Sequence, residues 1–262
     1  RPRRGAGGRS VLAVQPAQLW EPLTPPSERT DRSGAAVAQL LELLVPLHLR
    51  RHRGVRAVVQ SRLPDLLRGR VDAVHLSGDG WQTRAGLTAQ HLTVAALEGA
   101  ALNYGDLLLG KITLTTPALG WAEVVFEPGD FGNFLLYGPV AASAPIIGGQ
   151  RMAFEREGVE FDAPARRVFF AARCAGSRVP LVLEAGEALG DRVSVRAPEG
   201  AGGGFDAGAL EMAVARFLGT LSLDLAGVEL RFAAMSFDSS GRLHLRLRAT
   251  IRRIPNPLTD RI

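Results

Sequence analysis

The chain has 262 residues, 46% of them hydrophobic, enough for one large domain or two small ones with a sizeable core. Its net charge of +5 is unevenly placed: residues 1–70 hold 13 arginines against five acids (+8), residues 71–150 hold Arg84 and Lys111 against seven acids (−5), and residues 151–262 hold 16 arginines against 14 acids (+2). A basic end of this kind attracts phosphate-bearing partners, while the single cysteine, Cys174, excludes an internal disulfide and any zinc site that needs two thiolates.

Residues 1–34 read as a flexible basic arm. "RPRRGAGGRSVLAVQ" has no acid, and none follows before Glu21, a composition that suits the remnant of an organelle transit peptide. Residues 14–34 contain four prolines and no useful periodicity. A domain is expected over 35–255, with a proline-limited tail at 256–262.

Residues 35–53 predict the first helix, because Val37, Leu40, Leu41, Leu44 and Leu47 recur at three- and four-residue spacing. Pro46 predicts a kink, and Arg50, Arg51 and Arg53 fall in the expected last turn, where cations suit the helix dipole. Strands are expected at 54–61, 71–78, 86–97, 111–117 and 121–127, with a helical turn at 62–70 and a chain reversal at "GDGW" (78–81). The uncharged run Phe131–Gln150 is nearly long enough to span a bilayer, but Pro139, Pro145 and four glycines make it a broken helix instead, with Asp130 as its N-cap. Two strands around a turn are expected within 152–173, then strands at 179–185 and 192–197, and a loop at the glycine-rich 198–208. Asp206 caps a second full helix, 207–219, whose apolar stripe is Leu210, Ala213, Val214 and Phe217. A strand pair or one bulged strand follows at 221–237.

The clearest strand is "RLHLRLRATIRR" (242–253), in which Leu243, Leu245, Leu247, Ala249 and Ile251 share one parity, and Arg242, His244, Arg246, Arg248 and Arg252 the other. Successive side chains of a strand point to opposite faces, so one face is apolar and the other cationic. The element order is not βαβ alternation. It predicts an α+β fold in which a strongly curved antiparallel sheet wraps two or three helices.

Catalytic machinery is hard to find. The nucleophile-elbow, zinc-protease and phosphate-loop patterns are missing, and the 200–204 glycines lack dinucleotide-binding spacing. No catalytic residue or metal site is assigned. A two-histidine site built from His75 and His91 with Asp72 or Asp79 has no support from spacing, and the carboxylates Glu155, Glu157 and Glu160 read as a solvent face. Aromatic residues make up 6% of the chain, and the arginine strand carries none on its outward face, which argues against nucleic acid as a partner.

The segment "LLRGRVDAVHLSGDGWQTRAGLTAQHLTVAALEGAALNYGDLLLGKITLTTP" (66–117) resembles the LmeA-type phospholipid-binding family, a cyanobacterial and plastid domain. The resemblance rests on Leu67–Gly69–Val71, Gly86–Leu87 and Gly110–Lys111, with "GDFGNFLLYG" similar to the family's short helix. It extends loosely over 36–253, while the arginine-rich start and the 200–204 glycines depart from the pattern. It implies a tubular lipid-binding type of fold and a carrier or sensor of lipid rather than an enzyme.

The function expected is therefore non-enzymatic lipid binding by a protein peripherally associated with membranes, in a plastid (chloroplast) or cyanobacterial cell, with no cofactor beyond a bound phospholipid or fatty acid. An apolar groove is expected between helix 207–219 and the sheet, formed by Ile112, Leu114, Val124, Phe126, Leu210, Val214, Phe217, Leu230, Phe232, Leu243, Leu245, Leu247 and Ile251. Arg50, Arg51, Arg53, Arg246 and Arg248 are expected to meet an anionic headgroup or membrane surface. The competing reading is an adaptor subunit of a membrane protein complex, its interior filled by Phe126, Phe170 and Phe232. A third is a lipid-modifying enzyme in which His75, His91 and Asp72 converge.

Overall fold

Helix α1 (Arg32–Leu44) buries Ala38 and Leu41 against Ala57 and Val59 of strand β2 (Gly54–Gln60) and Val71 of β3 (Arg70–Val71). The side chain of Glu42 fastens the helix to the sheet by accepting from the Ala57 amide at 2.9 Å. The helix ends nine residues earlier than its periodicity predicts. Pro46 cannot donate to the carbonyl of Glu42, so Val45–His48 tighten into a 3₁₀ turn and Leu49–Arg51 become strand β1. Arg50 and Arg51 therefore lie on a strand beside Gln82 and Thr83, and the helix-dipole argument for them fails. The computed structural model describes residues 32–98, 100–103, 106, 112–174, 176–185, 193–197, 206–225 and 227–254. The basic arm up to residue 31, the Gly110–Lys111 loop, the 200–204 glycines and the tail at 256–262 lie outside these residues.

After the short helix α2 (Leu63–Leu67) come β4 (Ala73–Thr83), β5 (Thr88–Glu98), β6 (Ala100–Leu102) and β7 (Ile112–Phe126). The reversal expected at 78–81 is absent, and β4 runs straight through it. Gly78 makes this possible: a Cβ there would lie 2.2 Å from Nε1 of Trp81 and 2.4 Å from the Gly54 carbonyl oxygen. The two strands expected at 111–117 and 121–127 are one 15-residue strand that carries Pro117 and Gly120 in its interior.

Helices α3 (Pro128–Leu136) and α4 (Gly138–Ala142) realise the broken helix. The N-cap of α3 is Glu127 rather than Asp130. Asp130 sits at the third helical position and accepts from the Glu127 amide at 3.1 Å, one half of a capping box. The chain then forms the hairpin β8 (Ile146–Ile147) and β9 (Gln150–Arg151). A second sheet follows from β10 (Ala153–Phe154), β11 (Glu160–Asp162), β12 (Arg167–Cys174), β13 (Ser177–Ala185) and β14 (Val193–Arg196). Helix α5 (Ala207–Gly219), capped by Asp206 as predicted, packs on β14 and on β16 (Val228–Phe237). Strands β15 (Ser222–Asp224) and β17 (Leu243–Ile254) complete the set.

The large sheet has the order β1-β4-β5-β7-β17-β16-β15, with β2 beside β4 and β6 beside β7. Every strand pair among the described residues is antiparallel, as the element order predicts. Cross-strand partners share a face, and the register lines up apolar rows. One row runs Val59, Val74, Ala96, Gly120, Ala249, Leu230 and Leu223 across seven strands. Small residues at its centre let the backbones of β5 and β7 approach closely. A Cβ on Gly120 would meet the Ala95 carbonyl oxygen at 2.1 Å and Cα of Ala96 at 2.7 Å. Both neighbours are backbone and cannot swing aside. Gly120→Val is expected to destabilise the fold by about 3 kcal/mol or more, read as a lowered urea midpoint against a Thr115→Val control on the same strand.

Candidate functional site

The alternation of β4, β5, β7 and β17 places Leu76, Leu92, Val94, Ala122, Val124, Leu245 and Leu247 on one face of the large sheet. Two separate cores cover that face. At one end the second sheet, α3 and α5 close over it, burying Leu243, Leu210 and Val214 to 1% exposure or less. At the other end α1 closes over β2 and β3. Between the two lies a cavity of about 410 Å³.

The cavity is bounded below by β4, β5, β7, β17, β16 and β15. It is bounded above by Val37, Leu40 and Leu41 of α1, Val45 and His48 of the 3₁₀ turn, and Phe134 of α3. Its wall is apolar apart from His48, Asp72, Thr83, Thr88 and the indole of Trp81. The two threonines are engaged by the protein itself: Thr83 Oγ1 accepts from the Leu87 amide at 3.2 Å, and Thr88 Oγ1 from Asn133 Nδ2 at 2.8 Å. Trp81 Nε1 is buried over Gly78 and has no hydrogen-bond partner among the described residues. Several wall residues, Leu92, Val94, Val124, Val228 and Ile251 among them, are only half-buried, because the face they point to borders the cavity.

The predicted groove residues divide into two sets. Leu114, Val124, Phe126, Leu230, Leu245, Leu247 and Ile251 line the cavity. Leu210, Val214, Phe217 and Leu243 are buried in the closed core, and Phe232 packs against it half-buried, so none of these five forms cavity wall. The void is thus not between helix 207–219 and the sheet: α5 seals against β14 and β16, and it is the α1 end that stays open. The side chain of Ile112 lies outside the described residues. Sequence reasoning missed Leu76, Leu92, Val94, Ala118, Ala122, Leu223 and the α1 contribution. Their strand and helix periodicities mark a buried face, but not which part of it remains uncovered. Phe126, Phe170 and Phe232 do not fill the interior: Phe170 belongs to the closed core and Phe126 is cavity wall.

The arginines also separate. Arg246 is 3% exposed, on the sheet face opposite the cavity, with its Nε 3.1 Å from Glu123 Oε2. Arg248, on that same face, places its guanidinium 5.8 Å from the centre of the Trp121 ring. Arg246 is engaged inside the protein and cannot bind a headgroup. Arg50, Arg51 and Arg53 are exposed, and Arg53 donates to Gln90 at 3.3 Å. His75 and His91 alternate with the cavity residues Leu76 and Leu92 and so face away from them. His91 contacts Asp79 at 2.7 Å and Thr93 at 2.9 Å, and Asp72 is on the cavity wall, so the three groups of the enzyme reading do not converge. No group of three metal-ligating side chains occurs among the described residues. Cys174 is buried, which pushes its thiol above the usual range. No helix among the described residues is long and apolar enough to cross a membrane.

No protein-family model, curated protein or solved structure matches this chain.

Glu123, His244 and Arg246 tie β7 to β17 behind the cavity wall. His244 Nδ1 is 2.9 Å from Glu123 Oε1 and its Nε2 is 3.2 Å from Asp238 Oδ2. The bond to His244 is the main cause that lowers the Glu123 carboxyl to about 2 against the cost of burial, with Arg246 assisting. The same bond to Glu123 raises His244 above its ordinary value, again against burial, with Asp238 assisting. A raised histidine stabilises the fold below its unfolded value of about 6.5 and loses that contribution as pH rises through its folded value. A lowered glutamate stabilises above about 4.5 and loses that contribution as pH falls toward about 2. Stability from this cluster is therefore greatest between about pH 4.5 and 6.5. Thermal melts of His244→Gln should show a lower Tm than wild type near about pH 5.5, with the difference shrinking at about pH 9.

Proposed function

We propose that this protein is a non-enzymatic lipid-binding protein that works at a membrane surface and holds acyl chain in the cavity between its two cores. The observation that carries this reading is the cavity itself: about 410 Å³, walled by leucine, valine, alanine and phenylalanine side chains from six adjacent strands and α1. The volume falls within the roughly 300–1,000 Å³ typical of small-molecule sites. Water on such a wall forgoes hydrogen bonds, whereas hydrocarbon forgoes nothing. Each methylene buried gains about 0.8 kcal/mol, so about eight would gain roughly 6 kcal/mol before ordering costs.

Several features support the choice of lipid over a more polar small molecule. The wall offers few polar groups to orient a polar ligand, and its two threonines are already bonded within the protein. The resemblance of residues 66–117 to LmeA-type phospholipid-binding proteins points the same way, and on it the architecture is a tubular lipid-binding type of fold. The bound molecule is then a phospholipid or fatty acid, the arginine-rich start a processed targeting segment, and the setting a plastid or cyanobacterial membrane.

Ala122 lies at the middle of the sheet floor, 1% exposed, with cavity neighbours Val94 and Leu247 beside it. Ala122→Trp is expected to fill the void with its own ring. Organic extraction followed by mass spectrometry should recover acyl lipid from the wild type and about tenfold less from the variant, with both proteins giving the same far-ultraviolet circular dichroism. Wild-type protein that is lipid-free and fails to take up a fluorescent fatty acid would overturn the reading.

A further inference from the structure

Most large hydrophobic side chains left exposed by this fold lie in one short stretch. Of the nine among the described residues, Leu40, Leu43, Leu47, Leu63 and Leu67 lie within residues 40–67, at 42%, 67%, 47%, 53% and 73% exposure. Leu40 and Leu43 are three apart on α1, and Leu47 follows four residues later in the 3₁₀ turn, the spacing of neighbours on one helical face. Leu63 and Leu67 are four apart on α2, which touches α1. Leu40 also lines the cavity, so the exposed stripe begins at the cavity rim.

The charge around these leucines is one-sided. Residues 32–70 hold eight arginines against Glu42 and Asp65, a net of +6, and Glu42 is bonded to the Ala57 amide. Arg50 and Arg51 follow the 3₁₀ turn, and Arg62, Arg68 and Arg70 flank α2. All five are exposed, and none forms an ion pair with a described residue. The arginines of the later strands behave differently: Arg167, Arg173, Arg178, Arg231, Arg246 and Arg252 all meet carboxylates. Among the described residues, the exposed arginines beside the leucines thus differ from these carboxylate-paired ones.

We infer that the α1–α2 face is a bilayer-docking surface, in which the leucines enter the acyl layer of an anionic membrane and the surrounding arginines meet its phosphates. Leucines alone would suit many partners. Leucines ringed by unneutralised arginines match the layered chemistry of a lipid surface, with hydrocarbon inside and anionic phosphate at the level of the guanidinium groups. The position of Leu40 sets the consequence: docking brings the cavity rim to the bilayer, so a lipid passes between membrane and cavity without crossing water. This step rests on the lipid-binding reading given above and specifies where lipid enters.

The test uses the full chain in co-sedimentation with vesicles of phosphatidylcholine alone and of phosphatidylcholine with phosphatidylglycerol. Wild type should bind the anionic vesicles, be released by salt, and bind neutral vesicles weakly. The double variant Leu43→Glu/Leu47→Glu should bind at least about tenfold more weakly while still taking up a fluorescent fatty acid offered in solution as the wild type does. Neither residue is cavity wall, so the cavity is left intact. Arg50→Glu/Arg51→Glu should weaken binding and flatten its salt dependence. Unchanged vesicle binding by the leucine variant, with fatty-acid uptake retained, would overturn the docking face and leave the lipid-binding reading standing. Vesicle binding without cavity lipid would overturn the lipid-binding reading instead. A wild-type dimer that the leucine variant converts to monomer would assign the patch to a second copy of the chain and overturn the proposal, as would cross-linking that seats residues 1–31 on it.

Discussion

An apolar sheet face must be covered by something, and in this protein the described helices and second sheet cover its two ends. The register of β4, β5, β7, β17, β16 and β15 sets apolar side chains side by side across the sheet, with Gly120 and alanines at the centre. The second sheet and α5 close one end around Leu210, Val214 and Leu243. Helix α1 closes the other around Val59 and Val71. Pro46 ends α1, and the 3₁₀ turn that follows supplies Val45 and His48 to the cavity wall.

The tightest packing and the cavity occupy different parts of the structure. The closed core contains a run of aromatic contacts, Phe126–Phe134 at 5.5 Å and Phe154–Phe217 at 5.6 Å among them, and the opposite face of β7 and β17 is tied by the Glu123–His244–Arg246 cluster. The Phe154–Phe217 pair and the Glu123–His244–Arg246 cluster lie away from the void, whereas Phe126 and Phe134 form part of its wall, so the sheet behind the cavity is braced from its far face.

The charge distribution follows the same division. Cations of the later strands are consumed within the protein, by carboxylates or, at Arg248, by the Trp121 ring. Among the described residues, the arginines of 50–70 have no such partners and lie close in sequence to the exposed leucines. A surface of that composition is costly to leave in water, and the cavity rim lies at its edge.

Much of this was legible in the chain before folding. The Leu243–Ile251 alternation requires a strand with one apolar face, Asp206 requires a helix start, and the element order requires antiparallel pairing, because each depends on neighbours a few residues apart. Local signals also misled. "GDGW" has turn composition, yet Gly78 serves to seat the Trp81 ring within a continuous strand. The Pro117–Gly120 stretch looks like a break, yet Gly120 serves close packing of β5 against β7. Which apolar residues face a void and which a packed core was decided only by tertiary structure. Leu243 and Leu247 have the same chemistry and the same alternating strand context. One meets protein on every side and the other does not, because coverage depends on where distant elements end, and no local pattern encodes that.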